Sequence, residues 1–228
     1  IGDRFGHQGK AQLQAIQKIN EEGTTLVPVW NKSYREHVIT GTSPQQVRVE
    51  ADNAVASLNW EGSYYVDADH IGLANVDTFI YPSDYFTIDV AEFIGQPARE
   101  DDIRTFIDKY SLHVHQIDIP NIDETAQVSS IAFERIASKY FLAIKEAGKI
   151  YRYIESIKGT GNFITEVSID ETDIPQSPLD IFFILAGIAD EGIPIQAIAP
   201  KFQGSFQKGV DYVGDVEKFI RLFENYLI

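Results

Sequence analysis

The chain has 228 residues, of which 44% are hydrophobic and 23% are charged, ordinary values for a globular protein. Its 34 acidic and 19 basic residues give a formal net charge of −15, which repels a phosphate backbone or an anionic membrane and argues against both as partners. The richest apolar run, 181–189, is far shorter than the roughly 20 residues of a membrane span. The absence of cysteine excludes disulfide and thiolate chemistry and leaves Asp, Glu and His as metal ligands.

The composition also bears on completeness and location. The sequence starts at an isoleucine and contains no methionine. Because average usage would give a few methionines, we expect this sequence to be a piece of a longer chain. No basic leader with an apolar core opens it, so the expected location is the cytoplasm.

Apolar periodicity and capping residues predict alternating strands and helices. Short β-branched runs indicate strands, whereas Ser-Pro pairs and acidic first turns indicate helix starts. In chain order the predicted elements are a strand over 24–30, a helix from Ser43, strands over 63–70 and 84–90, a helix from Asp101, a long helix with a break over 124–157, a strand over 162–168, a helix from Ser177 to Gly192, a strand over 194–200 and a final helix from Asp215. The residues expected on the inner face of the final helix are Val216, Phe219, Ile220, Phe223 and Leu227.

The order of these elements predicts the fold class. Strands that are apolar along most of their length and alternate with helices are typical of a parallel sheet covered by helices. About five strands are predicted, and we treat 1–228 as a single α/β domain portion. An open doubly wound sheet accommodates five strands, whereas a TIM barrel needs eight and would require strands beyond these.

The carboxyl ends of the predicted strands carry many polar residues. Ligands bind at these ends in parallel α/β folds, so we expect a functional site there, against the plainer interpretation that loops are polar in general. The residues at these ends are Trp30, Asn31 and Lys32, then Asp67, Asp69 and His70, then Asp89, then Glu166, Ser168 and Asp170, and finally Lys201.

The most informative of these ends is Asp67-Ala68-Asp69-His70. In an extended strand Asp67 and Asp69 share a face, whereas His70 points the opposite way unless the strand has ended. A turn after Asp69 would bring Asp69 and His70 to one cavity, where they suit a divalent metal, or a base beside a metal ligand. The alternative is a capping aspartate beside a solvent-exposed histidine.

The other histidines give weaker signals. His113 and His115 would share one face of a strand, where a metal could use both, although we favour a polar strand edge as their explanation. His7 and His37 have no partner at a useful spacing and are interpreted as loop residues.

Two further strand ends carry candidate catalytic groups. Glu166 follows an apolar run and suits a general acid or base, the alternative being a charge on an edge strand. Lys201 suits a substrate carboxylate or a Schiff base, the alternative being a solvated lysine. The sequence has no GxGxxG, P-loop, GxSxG or HExxH motif, so dinucleotide, nucleotide triphosphate, serine hydrolase and zincin chemistry have no support.

Several of these segments together resemble the tagaturonate epimerase family, whose members act on tagaturonate and fructuronate in hexuronate breakdown. The resemblance extends through most of the chain. The segments that carry it are Ile1-Gly2-Asp3-Arg4-Phe5-Gly6, Asp67-Ala68-Asp69-His70-Ile71, Phe163-Ile164-Thr165-Glu166-Val167-Ser168, Ile198-Ala199-Pro200-Lys201-Phe202 and Lys208-Gly209-Val210-Asp211-Tyr212-Val213-Gly214.

The resemblance implies a TIM-barrel-like fold, here an incomplete barrel of about five parallel strands, and epimerisation of a sugar acid at C4 with a divalent metal of unknown identity. It implies that Asp69 is the proton acceptor, Glu166 the proton donor and His70 a metal ligand, with further histidine ligands outside this chain. The substrate-binding candidates are Lys201, Lys32, Arg4 and Asp67, with Arg35 as a further cation.

Two other functions are compatible with the same residues. A metal-dependent aldose–ketose isomerase of the same fold needs similar ligands. A non-catalytic module that binds sugar acids needs cations and aromatic rings but no metal. The rings that such a module would use are Trp30, Trp60, Tyr64 and Tyr65, although we favour the core as their location.

Overall fold

The computed structural model describes residues 1–114, 130–206 and 210–226. Within them the strands are β1 (Val29–Asn31), β2 (Tyr65–Ile71), β3 (Tyr85–Asp89), β4 (Ile164–Ile169) and β5 (Ala197–Pro200). The helices are α1 (Gly9–Glu21), α2 (Tyr34–Thr40), α3 (Pro44–Ser57), α4 (Val76–Phe79), α5 (Glu100–Val114), α6 (Ser130–Lys158), α7 (Pro178–Asp190) and α8 (Val216–Glu224), with a 3-10 helix at Ala91–Phe93.

The five strands form one sheet in the order β1-β2-β3-β4-β5. β1 pairs with β2, and β2 with β3, in parallel, and Asp67 of β2 lies opposite Tyr85 of β3. Each strand is followed by helical structure before the next begins. Five parallel strands with intervening helices confirm the predicted fold class, the α/β arrangement of an incomplete barrel.

Residue contacts group the chain into two compact units. The first comprises Ile1–Asp89, Lys149–Val167 and Pro194–Ala197, and the second comprises Val90–Gly148, Ser168–Ile193 and Ile198–Ile228. In the first unit, helices α1 and α3 pack on the sheet around Leu13, Trp30, Ala51, Ala54 and Val66, all of which are buried. The assignment of 1–228 to a single domain stays a prediction.

Local capping explains why three helices begin where the sequence predicts. The backbone N–H of Ser43 donates to Gln46 Oε1 at 2.7 Å. At α7, Ser177 N donates to Asp180 Oδ2 at 2.7 Å while Asp180 N donates back to Ser177 Oγ at 3.1 Å. At α8, Asp215 Oδ1 accepts from the backbone N–H of Lys218 at 2.9 Å. Each bond satisfies a backbone N–H or fixes the first turn, which is the function of an N-cap or capping box.

Other expectations about helices are corrected. His37 lies in α2 and is buried, with Nδ1 2.9 Å from Thr42 Oγ1, so it is not a loop residue. His113 lies near the end of helix α5, so the predicted strand with paired imidazoles is wrong there, while His115 lies outside the described residues. Helix α6 continues through 29 residues without the expected break.

The predicted inner face of the last helix is also corrected. Val216 is 54% exposed and Ile220 50% exposed in α8, although ring contacts join Phe219 and Phe223 to Phe202. Lys208, Gly209 and Leu227 lie outside the described residues. Among the described helices, none has both the length and the apolar character needed to cross a bilayer.

Candidate active site

Alternate residues of three adjacent strands form a polar surface, here called the acidic face, within the first unit. Successive side chains of a strand point to opposite faces, so Phe86 and Ile88 of β3 are buried on the apolar side, where Phe86 packs against Phe163. The residues of the acidic face are Asp67 and Asp69 of β2, Tyr85, Thr87 and Asp89 of β3, and Glu166 of β4. The same sheet therefore separates an apolar core from a cluster of ionisable groups.

A bulge in β2 brings His70 to the acidic face. Ala68 pairs with Phe86 and Ile71 pairs with Ile88, so β2 has one more residue than β3 between the two pairs. Within this bulge His70 has φ +54°, a left-handed conformation that a non-glycine residue adopts only at a cost. At the bulge the side chains of β2 no longer alternate strictly between the two faces of the sheet. The chain turns after Asp69, as expected if Asp69 and His70 are to share one face.

His70 contacts a carboxylate on each side. Its Nδ1 lies 3.1 Å from Asp89 Oδ2, and its Nε2 lies 3.8 Å from Asp69 Oδ1. The His70 side chain is 32% exposed and the Asp69 side chain 12% exposed, so both remain reachable from solvent. The shorter contact with Asp89 orients the imidazole ring, which leaves Nε2 beside Asp69.

Asp67 is the most perturbed carboxyl group of the acidic face. It is 7% exposed, and Thr87 Oγ1 lies 3.0 Å and 3.1 Å from its two carboxyl oxygens. Burial, and then the nearby charge of Asp69, raise the pKa of Asp67 to about 8. Asp67 is therefore a protonated acid at neutral pH and can donate a hydrogen bond, which an ionised carboxylate cannot.

Glu166 is held by a phenol from the neighbouring strand. The hydroxyl of Tyr85 donates to Glu166 Oε2 at 2.5 Å. Burial, followed by this hydrogen bond, raises the pKa of Tyr85, so its hydroxyl keeps its proton throughout the physiological range. Glu166 and Asp67 lie inside β4 and β2 rather than at the strand ends where the sequence placed them.

Of the candidate cations for a sugar carboxylate, Lys32 and Arg4 use their side chains in contacts within the protein, whereas the contacts of Lys201 are made by its backbone. Lys32 is only 3% exposed, and its Nζ donates to the carbonyl oxygen of Arg4 at 2.5 Å. The guanidinium of Arg4 lies 3.6 Å from Glu36. In the second unit, Lys201 N donates to Gln176 Oε1 at 2.6 Å, and Gln176 N donates to the Lys201 carbonyl at 3.2 Å. Their roles in substrate binding stay predictions.

The described residues do not form a complete metal site. Among residues 1–114, 130–206 and 210–226, no group of three or more His, Cys, Asp or Glu residues could hold a metal ion. The contact from Asp89 to His70 Nδ1 is the support that metal-ligating histidines usually have, because it fixes the ring and its tautomer. These residues thus offer one oriented ligand, and a metal would need others from outside the described residues.

Sequence reasoning missed Tyr85 and Thr87. Both belong to the run 84–90, where polar Tyr85, Thr87 and Asp89 alternate with apolar Phe86 and Ile88. That alternation was available in the sequence, but the partners of the polar residues depend on strand register. Trp30, a candidate ring for a sugar-acid binding module, is 1% exposed and belongs to the core.

Residues 1–227 match the family described as UxaE, tagaturonate epimerase. The chain belongs to the tagaturonate epimerase family. It is 26% identical to the tagaturonate/fructuronate epimerase of Thermotoga maritima over 249 aligned positions, which cover 100% of this chain and 50% of that protein. The resemblance expected from the sequence segments is thereby confirmed.

Solved structures of the same family have a similar fold. The chain is similar to a glycerol complex of the fructuronate-tagaturonate epimerase UxaE from Cohnella laeviribosi, with 26% identity and a TM-score of 0.79. The native crystal structure of that enzyme gives 26% identity and a TM-score of 0.75. Each match covers 99% of this chain and 48% of the solved chain. The chain thus spans about half the length of the relatives that it matches.

Proposed function

We propose that the protein carrying this chain interconverts D-tagaturonate and D-fructuronate by inversion at C4. The supporting observation is the bulge at His70, which places Asp69 and His70 together on the face that also carries Glu166. Membership of the tagaturonate epimerase family favours this activity over an aldose–ketose isomerase or a sugar-acid binding module. A cytoplasmic location stays a prediction.

The substrate restricts the chemistry that can invert C4. In ketose numbering the carbonyl is at C2, so the hydrogen on C4 is not alpha to it and its removal gains no resonance stabilisation. The hydroxyl on C4 is beta to the carbonyl, which is the arrangement of an aldol. A base that removes the hydroxyl proton can therefore open the C3–C4 bond in a retro-aldol step, without a redox cofactor.

We assign the base in this step to Asp69. Its carboxylate accepts the O4 proton, O4 and C4 become an aldehyde, and the electrons of the C3–C4 bond form an enediolate over C2 and C3. The aldehyde fragment rotates to present its other face, the C3–C4 bond forms again, and Asp69 returns the proton to O4. A positioned general base typically contributes about 10²- to 10⁴-fold to the rate.

The neighbouring acids stabilise or neutralise the negative oxygens that develop. Glu166 donates its proton to the enediolate oxygen on C2 and takes it back when the C3–C4 bond forms again, while protonated Asp67 donates a hydrogen bond without adding charge. A divalent cation bound at His70, with its other ligands from outside the described residues, would supply positive charge to the enediolate oxygens. Among the cations of the first unit, Arg4 and Lys32 suit the substrate carboxylate, and a bidentate arginine would bind it more strongly than a lysine.

The activity is tested with the protein at its natural length, D-tagaturonate and NMR detection in D₂O. We expect D-fructuronate that retains hydrogen at C4, because that hydrogen stays on the aldehyde fragment. Deuterium at C4 would contradict the retro-aldol mechanism, and an aldose product without the C4 epimer would favour the isomerase. Ligand affinity without turnover, unchanged by a chelator, would favour the binding module.

The role of Asp69 is tested in the same assay. Asp69→Asn should lower kcat by at least about 10²-fold, since the amide cannot accept the O4 proton. Asp101→Asn is the matched control, because Asp101 is an exposed carboxylate in the first turn of α5. Equal activity of the two variants would show that Asp69 is not the base.

A further inference from the structure

The contact between Tyr85 and Glu166 joins two strands of the acidic face. Tyr85 is the first residue of β3 and lies opposite Asp67 of β2, while Glu166 is the third residue of β4 on the other side. The phenolic oxygen lies 2.5 Å from Glu166 Oε2, a short distance typical of donation to a charged oxygen. No other hydrogen bond to the Glu166 carboxylate is found within the described ranges.

The polarity of this hydrogen bond is fixed. Burial of Tyr85 and its hydrogen bond to Glu166 disfavour a phenolate, so Tyr85 keeps its proton and remains the donor. A carboxyl oxygen that already accepts a strong hydrogen bond is a poor position for an added proton. When Glu166 is protonated, the proton therefore resides on Oε1.

We propose that Tyr85 is a positioning residue that fixes the Glu166 carboxyl group in one orientation and makes Oε1 the oxygen that carries its transferable proton. This inference rests on the proposed function, in which Glu166 is the proton donor. The ionisable side chain that faces the pair from β2 is Asp67, and the pair itself occupies β3 and β4. Tyr85 acts through Glu166 and is not assigned a contact with the substrate.

The test compares four variants of the protein at its natural length: Tyr85→Phe, Glu166→Gln, the double variant and Tyr151→Phe. Tyr151 is the matched control, because its hydroxyl also donates to a glutamate, Glu155, at 3.0 Å within helix α6. The readouts are kcat and KM for epimerisation across pH. Thermal melting of each variant verifies folding.

We expect Tyr85→Phe to lower kcat about tenfold or more, with KM little changed, since a hydrogen bond to a charged group is lost. The alkaline limb of its pH–rate profile should move to higher pH, because a carboxylate that loses a hydrogen-bond donor holds its proton more tightly. In the Glu166→Gln background the same change should have little effect. Tyr151→Phe should have the wild-type rate and the wild-type pH profile.

Each outcome distinguishes the inference from the function on which it rests. If Glu166→Gln has a lowered kcat while Tyr85→Phe keeps the wild-type kcat and the wild-type alkaline limb of the pH–rate profile, the positioning role is wrong but Glu166 remains the donor. If Glu166→Gln is fully active, the proposed role of Glu166 fails. Should Tyr85→Phe not fold, 3-fluorotyrosine at position 85 provides the second measurement. This more acidic phenol should shift the limb to lower pH, and an unchanged limb would overturn the inference.

Discussion

Asp67→Asn should stabilise the protein at neutral pH, although it removes an ionisable group from the acidic face. Asp67 is 7% exposed, and burial, reinforced by the charges of Asp69 and Glu166, raises its pKa from 3.8 to about 8. The unfolded chain releases this proton near pH 4, whereas the folded chain retains it to about pH 8. The amide has the same shape, can still accept from Thr87 and never ionises.

The sign and size of the effect follow from these two pKa values. Between them the folded state binds one more proton than the unfolded state, so the contribution of Asp67 to stability falls as pH rises from about 4 to about 8. Each pKa unit corresponds to about 1.4 kcal/mol. The accumulated penalty at pH 7 is therefore on the order of 4 kcal/mol, and roughly 2–3 kcal/mol of it develops between pH 5 and pH 7.

Urea denaturation of the wild type and of Asp67→Asn at pH 5, 6, 7 and 8 measures this penalty. The difference in free energy of unfolding should increase with pH in favour of the variant, since all other titrating groups are common to both proteins. Asp101→Asn, which changes an exposed carboxylate, should give a difference near zero at every pH. Parallel stability curves for the wild type and Asp67→Asn would refute the assignment of Asp67 as a buried, protonated acid.

Three further changes test the site and its scaffold. Asp89→Asn should weaken binding of Zn²⁺ or Mn²⁺ by about 10- to 100-fold in a calorimetric titration, because the carboxylate orients the His70 ring, and unchanged affinity would contradict that role. His70→Gly should be about 1 kcal/mol more stable than His70→Ala in urea, because only glycine adopts φ +54° without strain, and equal stability would argue against strain there. Phe86→Ala should lower the free energy of unfolding by about 3–5 kcal/mol, since Phe86 is fully buried, and a loss under 1 kcal/mol would show that the apolar side of β3 is not tightly packed.

Local signals made much of the fold predictable from the sequence. The starts of α3, α7 and α8 were predicted because Ser43, Ser177 and Asp215 act within one turn of the residues that they cap. The strands were predicted with errors at their ends: the run over 24–30 contributes only Val29 and Trp30 to β1, which ends one residue beyond the run, at Asn31. Strand ends depend on pairing with a neighbour, which apolar periodicity alone does not encode.

The site was predictable in its residue types but not in its contacts. A turn after Asp69 was expected to bring Asp69 and His70 to one cavity, and the bulge in β2 places His70 Nε2 3.8 Å from Asp69 Oδ1. Tyr85 and Thr87 could not be assigned, because their partners are set by the parallel register that places Tyr85 opposite Asp67. One residue of slip would exchange the apolar and polar faces of β3, so the contacts are a property of the whole sheet.

Two features of the site, the buried Asp67 and the bulge at His70, lower the stability of the folded protein. This cost is an argument that they serve function. Burial keeps Asp67 protonated at a cost that an asparagine would avoid, and the bulge holds His70 in a conformation that a glycine would adopt freely. A sheet selected for stability alone would pair β2 and β3 without an extra residue and place an apolar side chain at position 67. Because both exceptions lie on one strand, within four residues, we expect β2 to carry the central groups of the proposed chemistry.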